Sequence, residues 1–418
     1  MKIGIIGGGV SGLVAGYRLQ QDHEVTLFEA NDYIGGHTNT IDVNLDGTSY
    51  AVDTGFIVFN DRTYPNFIAL LEELGVESQP TRMSFSVSCE KTGLEYRGAD
   101  LNGLFAQRKN LFNPKYLRLL WDLLRFNKLG EKILSNEQSA QTVEEFFKAN
   151  KFSSQFLEQY FYPMGAAIWS SSFKTFKTFP IKFIAEFYKN HGLLGVTDRP
   201  QWRVIKGGSK QYIEPLTRAW RDRIHLDSRV ESIERSSNGI EIKTFNNEKQ
   251  KFDHVVFACH ADQALALLGD LATSAETEVL SAFPYQENIA TLHTQDSVLP
   301  KTNRAWACWN YYNPMDETDS ATVTYNMNIL QSLDAQKVFC VTLNDTGRIK
   351  EENVIQRFKY SHPTFGINRK TMQDRHREIV GPNRTSFCGA YWGNGFHEDG
   401  VKSALAVVDV LQNSAVEV

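Results

Sequence analysis

This 418-residue chain has neither a long apolar run nor a pattern of paired cysteines. No stretch approaches the roughly 18 consecutive apolar residues that a membrane-spanning helix needs. The cysteines number five and include no C-x-x-C pair, which argues against a disulfide framework and against a zinc site. They are Cys89, Cys259, Cys308, Cys340 and Cys388. We therefore predict a cytoplasmic protein without a bound metal, and peripheral contact with the inner face of a membrane stays open.

A strong charge of either sign is also missing. The 44 lysines and arginines stand against 49 aspartates and glutamates, and the net charge of −5 gives no reason to expect nucleic acid as a partner. The start of the chain lacks a basic and apolar leader pattern, so we expect none. Aromatic residues are plentiful, with 27 Phe and 16 Tyr, and they indicate a large apolar interior or an apolar ligand pocket.

The first 30 residues combine an apolar strand pattern, a glycine turn, a helical pattern and a second strand pattern that ends in an acid. Gly7, Gly9 and Gly12 have the G-x-G-x-x-G spacing, which allows a tight turn, close approach of a phosphate and close packing of the helix on the strand. The helix start directs N–H groups at phosphates. Glu29 stands where a carboxylate accepts hydrogen bonds from ribose hydroxyls and repels a 2′-phosphate. This order predicts a dinucleotide site, and a chance glycine turn is the alternative.

The next segment favours FAD over NAD as the dinucleotide. Gly35 and Gly36 follow the second strand after a short turn, and a Gly-Gly pair there lets the backbone pass beside the pyrophosphate of an extended cofactor. A further strand pattern over residues 50–56 contains Asp53 and Gly55 and is expected near the flavin. No second fingerprint with strand, helix and acid follows. We therefore expect electrons to pass to dioxygen or another acceptor rather than to arrive from NAD(P)H.

With these motifs the chain resembles the flavin amine-oxidase superfamily, which includes monoamine oxidases, phytoene desaturases and protoporphyrinogen oxidases. The resemblance extends from end to end of the chain and implies FAD as the cofactor. One departure is His37, which stands where the family has an arginine, so the charge contact of that arginine with a phosphate is missing. Further segments that match are residues 202–209, 229–233, 253–259, 387–390 and 393–401.

The glycines near the C-terminus form the last motif of the resemblance. Family members place this turn and the following helix start at the flavin, where the helix dipole stabilises the anion of reduced flavin. Taken alone, the same residues are a glycine-rich loop that caps the last helix. Together the motifs predict these cofactor-binding residues: Gly7, Gly9, Val10, Ser11, Gly12, Glu29, Ala30, Gly35, Gly36, His37, Thr38, Asp53, Thr54, Gly55, Val230, Gly389, Gly395, Phe396, Gly400 and Val401.

The motifs and the resemblance predict an α/β fold with two domains and the architecture of amine oxidases. The first is a Rossmann-like FAD-binding domain of three layers, with a parallel sheet and a β-meander near residues 224–245. Its pieces are residues 1–80, 200–270 and 380–418. The second is an α+β substrate domain, whose first piece is largely helical and whose second piece alternates as strands do. Its pieces are residues 81–199 and 271–379.

One helix of the substrate domain has an unusual composition. It opens at Pro114 and is predicted to run to about residue 127. Its polar positions form a narrow, mostly basic stripe, while all other positions from 116 to 126 are apolar. Such a helix is either buried on most sides or lies in a membrane interface, and both interpretations stay open. The polar positions are Lys115, Arg118, Asp122 and Arg125.

A narrower resemblance concerns the substrate. Residues 59–60, 167–170, 190–194 and 360–363 are similar to bacterial FAD-binding proteins that resemble the N-terminal domain of plant cyclopropane fatty-acid synthases. That group is associated with modified fatty-acyl chains. The resemblance implies a hydrophobic acyl substrate, with desaturation or double-bond rearrangement as the reaction. The alternatives are an amine oxidase that produces peroxide and an FAD-binding accessory subunit of a lipid-modifying enzyme.

The sequence does not single out the catalytic residues. Tyr391 and Trp392 stand beside the terminal glycines, where aromatic rings are able to flank a flavin. His397 and Glu398 are the nearest groups for proton handling. Support of the cofactor loop is the alternative role for all four.

Overall fold

Two large sheets organise the part of the chain that the computed structural model describes, which is residues 1–135, 141–169, 171–195, 199–315 and 322–414. The first sheet is parallel, and its strands in sequence order are β1 (Lys2–Ile6), β2 (Glu24–Phe28), β10 (Ile224–His225), β14 (His254–Phe257) and β20 (Thr385–Phe387). Their order across the sheet is β10–β2–β1–β14–β20. Its central strands are nearly all buried, as expected for a parallel sheet with helices on both faces.

The second sheet is mixed. Its strands are β7 (Phe85–Cys89), β8 (Leu94–Arg97), β15 (Tyr285–His293), β16 (Trp309–Asn313), β17 (Thr322–Asn326), β18 (Cys340–Leu343) and β19 (Val354–Pro363). They run in the order β19–β15–β18–β17–β16–β7–β8, and only the β7–β16 pair among them is parallel. The piece 271–379 supplies five of these strands, β15 to β19, as its alternating pattern predicts, but the alternating residues 305–308 precede β16 and are not a strand. The piece 81–199 also supplies a hairpin, β7–β8, which its largely helical pattern does not indicate.

Three small sheets contain the remaining strands of the described residues. They are formed by β3 (Thr40–Leu45) with β4 (Thr48–Asp53), by β5 (Phe59–Asn60) and β6 (Ser78–Pro80) with β9 (Trp202–Ile205), and by β11 (Val230–Ser236), β12 (Gly239–Thr244) and β13 (Lys249–Phe252). The last sheet is the predicted meander, but the strand predicted to begin it, at residues 224–226, does not belong to it. Residues 224 and 225 pair with Leu27 and Phe28 of the parallel sheet instead, and β13 takes the third place in the meander.

The helices surround these sheets. They are α1 (Val10–Leu19), α2 (Pro65–Glu73), α3 (Leu101–Leu104), α4 (Pro114–Ser135), α5 (Val143–Asn150), α6 (Ser154–Phe156), α7 (Tyr162–Trp169), α8 (Phe173–Lys177), α9 (Ile181–Asn190), α10 (Ile213–Thr217), α11 (Ala261–Leu268), α12 (Ser274–Leu280), α13 (Met327–Leu330), α14 (Arg369–Asp374), α15 (His376–Ile379) and α16 (His397–Ser414). Among the helices of the described residues, none is both long enough and apolar enough to cross a membrane.

The first and last long helices of the chain lie against each other. Leu13 of α1 and Ala404 and Val407 of α16 are buried in one apolar cluster. At the same contact a Cβ on Gly400 would come within 2.8 Å of a Val10 methyl group, so glycine permits the close approach of the two helices. This packing brings the N-terminal and C-terminal glycine motifs to one place, although almost the whole chain separates them in sequence.

Helix α4 differs from the predicted pattern. It continues to Ser135, and its inner face is buried as expected, with Tyr116 and Phe126 in the aromatic core. The polar stripe does not form one surface, because Asp122 is fully buried. Its carboxylate accepts hydrogen bonds from the Arg118 side chain at 3.1 Å and from the Ser153 N–H at 3.0 Å. Burial alone would raise the pKa of Asp122, but these donors hold it below its usual value.

Candidate active site

A cavity of about 790 Å³ lies at the carboxyl ends of the parallel strands. Gly7 follows β1, Glu29 follows β2, Cys259 follows β14 and Gly389 follows β20, and all four line the cavity. Open α/β sheets bind their ligands at this edge. On the other side the cavity wall includes residues of the second sheet, such as Trp309 of β16. Both large sheets therefore contribute to the site.

The first glycine loop leaves room in front of a helix start. Gly7 has φ of 109°, a left-handed value that favours glycine, and its N–H donates to the Phe28 carbonyl at 2.9 Å. Gly9 has an ordinary extended conformation, and a Cβ there would meet no described protein atom within 4 Å. Packing thus gives no reason for glycine at position 9. The space beside Gly9 belongs to the cavity, where a phosphate can approach the N-terminus of α1.

The Glu29 carboxylate is held at the end of β2. It is 7% exposed, and one of its oxygens accepts the Gly8 N–H at 2.7 Å. The other oxygen accepts the backbone and side-chain N–H groups of Asn31 at 2.9 and 2.8 Å. Because a carboxylate has about four acceptor positions and three are occupied, one remains for a hydroxyl donor from the cavity. The contact of Glu29 with a ribose stays a prediction, and the carboxylate is accessible to it from the cavity.

The second glycine loop lies alongside the first. The Gly35 N–H donates to the Gly8 carbonyl at 2.8 Å, and Gly9 and Gly35 form a parallel bridge. A Cβ on Gly36 would come within 3.3 Å of the Gly9 Cα atom. Gly9, Gly35 and Gly36 all line the cavity. The predicted passage of backbone beside a long cofactor is therefore geometrically available here.

A group of neutral histidines borders this passage. The ring of His37 stacks on Tyr360 at 4.9 Å and meets the ring of His362 at 5.1 Å. Burial lowers the pKa of His37 to about 4 and that of His362 to about 3. The His37 Nε2 atom is buried and has no hydrogen-bond partner among the described residues. A neutral imidazole offers one N–H donor to an anionic oxygen, without the charge of an arginine.

The C-terminal motif brings Gly395 and Phe396 to the cavity, directly before α16 begins at His397. The His397 ring stacks on Phe56 with centroids 3.5 Å apart. Its Nε2 atom lies 2.9 Å from the Thr38 hydroxyl. Burial holds the pKa of His397 well below its usual value, so the ring is neutral. His397 lines the cavity but is fixed by these contacts.

Of the four candidates for catalysis, two line the cavity and two do not. Tyr391 lines the cavity together with His397. Trp392 does not, and its ring stacks on His376 at 3.9 Å. Glu398 also lies outside the cavity wall, because its carboxylate accepts the Phe67 N–H at 2.9 Å near the start of α2. Trp392 as a ring beside the flavin and Glu398 as a group for proton handling stay predictions, and in the structure both side chains are engaged outside the cavity wall.

The predicted cofactor residues divide in the same way. Fourteen line the cavity: Gly7, Gly9, Val10, Ser11, Glu29, Ala30, Gly35, Gly36, His37, Gly55, Val230, Gly389, Gly395 and Phe396. Six lie behind its wall: Gly12, Thr38, Asp53, Thr54, Gly400 and Val401. For most of these six the structure shows a supporting contact. A Cβ on Gly12 would collide with the Gly7 carbonyl, and Thr54 donates to the Asn39 carbonyl at 3.0 Å.

Asp53 illustrates such a supporting role. It is completely buried and accepts hydrogen bonds from the Thr40 hydroxyl at 2.6 Å and from both the N–H and the hydroxyl of Ser209 at 2.8 Å. The Gln331 amide donates to its second oxygen at 3.0 Å. Burial raises the pKa of Asp53 to about 6 despite these donors. The acid joins three distant segments behind the cavity rather than facing it.

The sequence reasoning missed the apolar part of the wall. Its residues come from α7, the second sheet and the loops beside them. Apart from Ile168 and Trp169, which belong to a segment of the narrower resemblance, no motif marks them, because apolar side chains in a cavity look the same in sequence as those in a core. These residues are Ile57, Val58, Ile168, Trp169, Trp309, Tyr325 and Phe365.

Charge is unevenly distributed over the cavity wall. Among the described lining residues the charged ones are Glu29, Arg229 and Glu231, which lie at the end of β2 and around the start of β11. The wall formed by Trp169, Trp309 and their neighbours has no carboxylate, lysine or arginine among the described residues. One end of the cavity therefore suits a polar nucleoside, and the other suits an uncharged apolar molecule.

Comparison with known proteins identifies relatives of the chain. The sequence pattern of a family described as flavin containing amine oxidoreductase matches residues 10–297. The chain is 25% identical over 279 residues to the flavin-containing amine oxidase A of Bos taurus, across 61% of this chain and 48% of that protein. It spans about half the length of the curated amine oxidases that it matches.

Solved structures share the fold over nearly the whole chain. Cyclohexylamine oxidase from Brevibacterium oxydans has a TM-score of 0.70 at 17% identity, covering 98% of this chain and 99% of its own. A CLA-producing fatty acid isomerase from P. acnes has a TM-score of 0.65 at 14% identity, covering 98% of both chains. At these identities the likeness concerns the fold alone. It confirms the predicted α/β fold with a parallel Rossmann-like sheet and a second sheet.

Proposed function

Because the chain belongs to the flavin-containing amine oxidoreductase family, we propose that it is an FAD-dependent oxidoreductase acting on a hydrophobic acyl chain. The proposed reaction is desaturation, or rearrangement of a double bond. The observation that carries the substrate class is the uncharged, aromatic part of the cavity wall. An alkyl chain is stabilised there by burial, at about 0.8 kcal/mol for each CH₂ group.

The cofactor is FAD, and the residues present fit it. We assign the ribose to Glu29 and the pyrophosphate to the N-terminus of α1 beside Gly9. The unfilled space at Gly9 and the unpartnered, buried Nε2 atom of His37 support this assignment. We assign Gly395 and Phe396 to the flavin. When bound, the flavin supplies the acceptor for a hydride.

The side chains of the protein bind and orient the substrate. Trp169 and Phe365 are almost completely buried and line the cavity, and we propose that their rings contact the acyl chain. We propose that His397 positions the cofactor loop, because the Thr38 hydroxyl is within hydrogen-bond distance of its Nε2 atom. Tyr391 remains the candidate for direct contact with reacting groups, since it is buried and lines the cavity.

The narrower resemblance to proteins of fatty-acyl modification fits this proposal. Two of its segments reach the cavity, through Ile168 and Trp169 and through His362 and Pro363. Ser170, the last residue of one segment, lies outside the described residues. The isomerase of P. acnes, which shares the fold, supports the same substrate class by its name.

The proposed function predicts which compounds reduce the flavin. Under anaerobic conditions unsaturated or methyl-branched acyl lipids should bleach its absorbance or be recovered with a moved double bond, as shown by mass spectrometry. Hydrophobic amines should do neither, because the apolar wall offers no carboxylate for an ammonium group. Bleaching by amines with release of peroxide would instead establish an amine oxidase. If no compound reacts and the protein binds a lipid-modifying enzyme tightly, it is an accessory subunit.

A substitution in the apolar wall should separate these substrate classes. Val58 is partly buried and lines the cavity, so Val58→Glu places a carboxylate beside the acyl chain. We expect reaction with acyl lipids to slow at least about tenfold, since an unpaired charge is costly in an apolar site. Val58→Leu is the matched control and should react like the wild type. The FAD content of both variants should be unchanged, and an unaltered acyl reaction rate in Val58→Glu would contradict the proposal.

A further inference from the structure

Six exposed apolar side chains fall within the short stretch from residue 101 to residue 124. Phe112 is 87% exposed and Trp121 is 52% exposed, and both are large rings that soluble proteins usually cover. Leu101, Leu111, Leu117 and Leu124 are exposed as well. We call these six residues the docking face. Other exposed apolar residues of the described chain, such as Ile355 and Ile367, are single and widely separated in sequence.

The docking face is held outward by the fold. Leu117, Trp121 and Leu124 follow each other at spacings of four and three on α4, which places them on one side of the helix. The opposite side is anchored by Phe126, whose ring contacts that of Phe161 at 4.9 Å. The buried Asp122 adds a polar anchor through Arg118. The helix is unable to rotate its exposed apolar side into the core without breaking these contacts.

Positive charge surrounds the docking face. Residues 101–135 contain seven lysines and arginines but two acids, of which Asp122 is buried and already paired. The whole chain, in contrast, has a net charge of −5. The Arg118 guanidinium lies over the Trp121 ring, 4.4 Å from the ring centroid. An apolar strip with a tryptophan and a basic border is the composition of helices that lie in a membrane interface.

We propose that the docking face binds the surface of an anionic lipid bilayer. The apolar side chains enter the boundary between headgroups and acyl chains, and the basic residues contact lipid phosphates. A second copy of the chain is a poorer occupant, because a two-fold contact through this face would bring two basic borders together. This inference concerns where the protein binds and does not depend on the reaction that it catalyses.

The surface is connected to the cavity by aromatic packing. The ring of Phe126 contacts Phe161, Phe161 contacts Phe176 at 5.7 Å, and Phe176 stacks on Trp169 at 6.0 Å. Trp169 lines the cavity. The bilayer-binding helix and the apolar wall thus belong to one core, which suits an enzyme that takes its substrate from a membrane.

The test is sedimentation of the FAD-loaded protein with vesicles of phosphatidylglycerol and phosphatidylcholine. Wild type should sediment with these vesicles and much less with pure phosphatidylcholine. Phe112→Glu/Trp121→Glu should lower binding at least about tenfold, because it places two acids in the interface. Ile355→Glu/Ile367→Glu is the matched control and should bind like the wild type. Flavin absorbance and the urea midpoint show that each variant is loaded and folded.

Two further measurements test the contribution of the basic residues and the alternative of self-association. Lys115→Gln/Lys128→Gln should weaken binding to anionic vesicles and reduce its dependence on salt. Sedimentation velocity without lipid should show that wild type and the Phe112→Glu/Trp121→Glu variant have the same oligomeric state. Equal vesicle binding by wild type and that variant would overturn the proposal. A dimer that the same substitutions dissociate would overturn it in favour of self-association, whatever compounds reduce the flavin.

Discussion

Replacing Gly9 with leucine should yield a folded protein that retains on the order of one tenth or less of its FAD. Gly9 has φ of −73° and ψ of 179°, which any residue adopts, and a Cβ there would meet no described protein atom within 4 Å. The leucine side chain would therefore enter the space assigned to the pyrophosphate. Folding should suffer little, since replacing glycine before a helix start costs about 1 kcal/mol. The measurement is the ratio of released flavin to protein after denaturation.

Two further variants serve as controls for Gly9→Leu. Gly366→Leu is the control, because a Cβ on Gly366 also meets nothing within 4 Å and this residue is exposed and absent from the cavity wall. It should keep its full flavin content. Gly9→Ala adds one methyl group and should show a smaller loss. A Gly9→Leu protein with wild-type flavin content would disprove the placement of the pyrophosphate beside α1.

Acidification from pH 7.5 to 5.5 should remove at least about 4 kcal/mol from the unfolding free energy of the apoprotein. Four histidines that are at most 8% exposed account for this minimum, and the other histidines whose pKa burial lowers, such as His37 and His362, act in the same direction. Burial lowers the pKa of three of the four to about 4 and holds that of His397 well below its usual value. The unfolded chain, with histidine pKa values near 6.5, binds more protons in this range, so stability falls as the pH falls. Among the four, the three histidines with a pKa of about 4 are His191, His254 and His293.

The size of the effect follows from proton linkage. At pH 5.5 each such histidine costs the folded state about 1.4 kcal/mol, or about 5.5 kcal/mol for the four. Asp53 and Asp399 act in the opposite direction, because burial raises the pKa of each carboxyl to about 6. Their stabilising contribution is lost as pH rises through 6. At pH 5.5 the two carboxyls together therefore raise the unfolding free energy by about 1.5 kcal/mol relative to pH 7.5. The histidines therefore outweigh the two acids.

Urea unfolding of the apoprotein at the two pH values measures this effect. His293→Gln provides a control, because glutamine keeps a donor for the Thr342 hydroxyl, which lies 2.8 Å from the histidine Nε2 atom, but does not titrate. The variant should lose about 1.4 kcal/mol less than the wild type on acidification. Equal unfolding free energies of the wild type at both pH values would show that these histidines are not neutral in the fold.

The site residues that the sequence predicted best are those whose task depends on near neighbours. Gly7, Gly9 and Glu29 lie within one strand–helix–strand unit, so their spacing alone places them at one sheet edge. The role of Glu398 was not predictable in this way. Its carboxylate contacts Phe67, more than 300 residues earlier, and nothing in the local pattern indicates that partner.

Helix α4 shows a second limit of local reasoning. Its pattern of leucines and basic residues allowed both burial and an interface, and it placed Asp122 among the polar positions. In the fold, Phe126 is buried among other rings, Trp121 is exposed and Asp122 is buried. A helix of this composition has apolar residues on every side, so the neighbouring elements decide which side faces inward.

The sequence by itself determined the α/β fold, the two glycine loops and the acid at the end of β2, because each depends on short-range spacing and on the conformations that glycine permits. Only the tertiary structure decided which apolar residues line the cavity and which stand on the surface. Tryptophan is chemically the same residue in all three places where it occurs here: Trp169 in a cavity wall, Trp309 in a sheet and Trp121 on an exposed helix face. Their surroundings come from chain segments far apart in sequence, and burial is a property of those surroundings rather than of the residue.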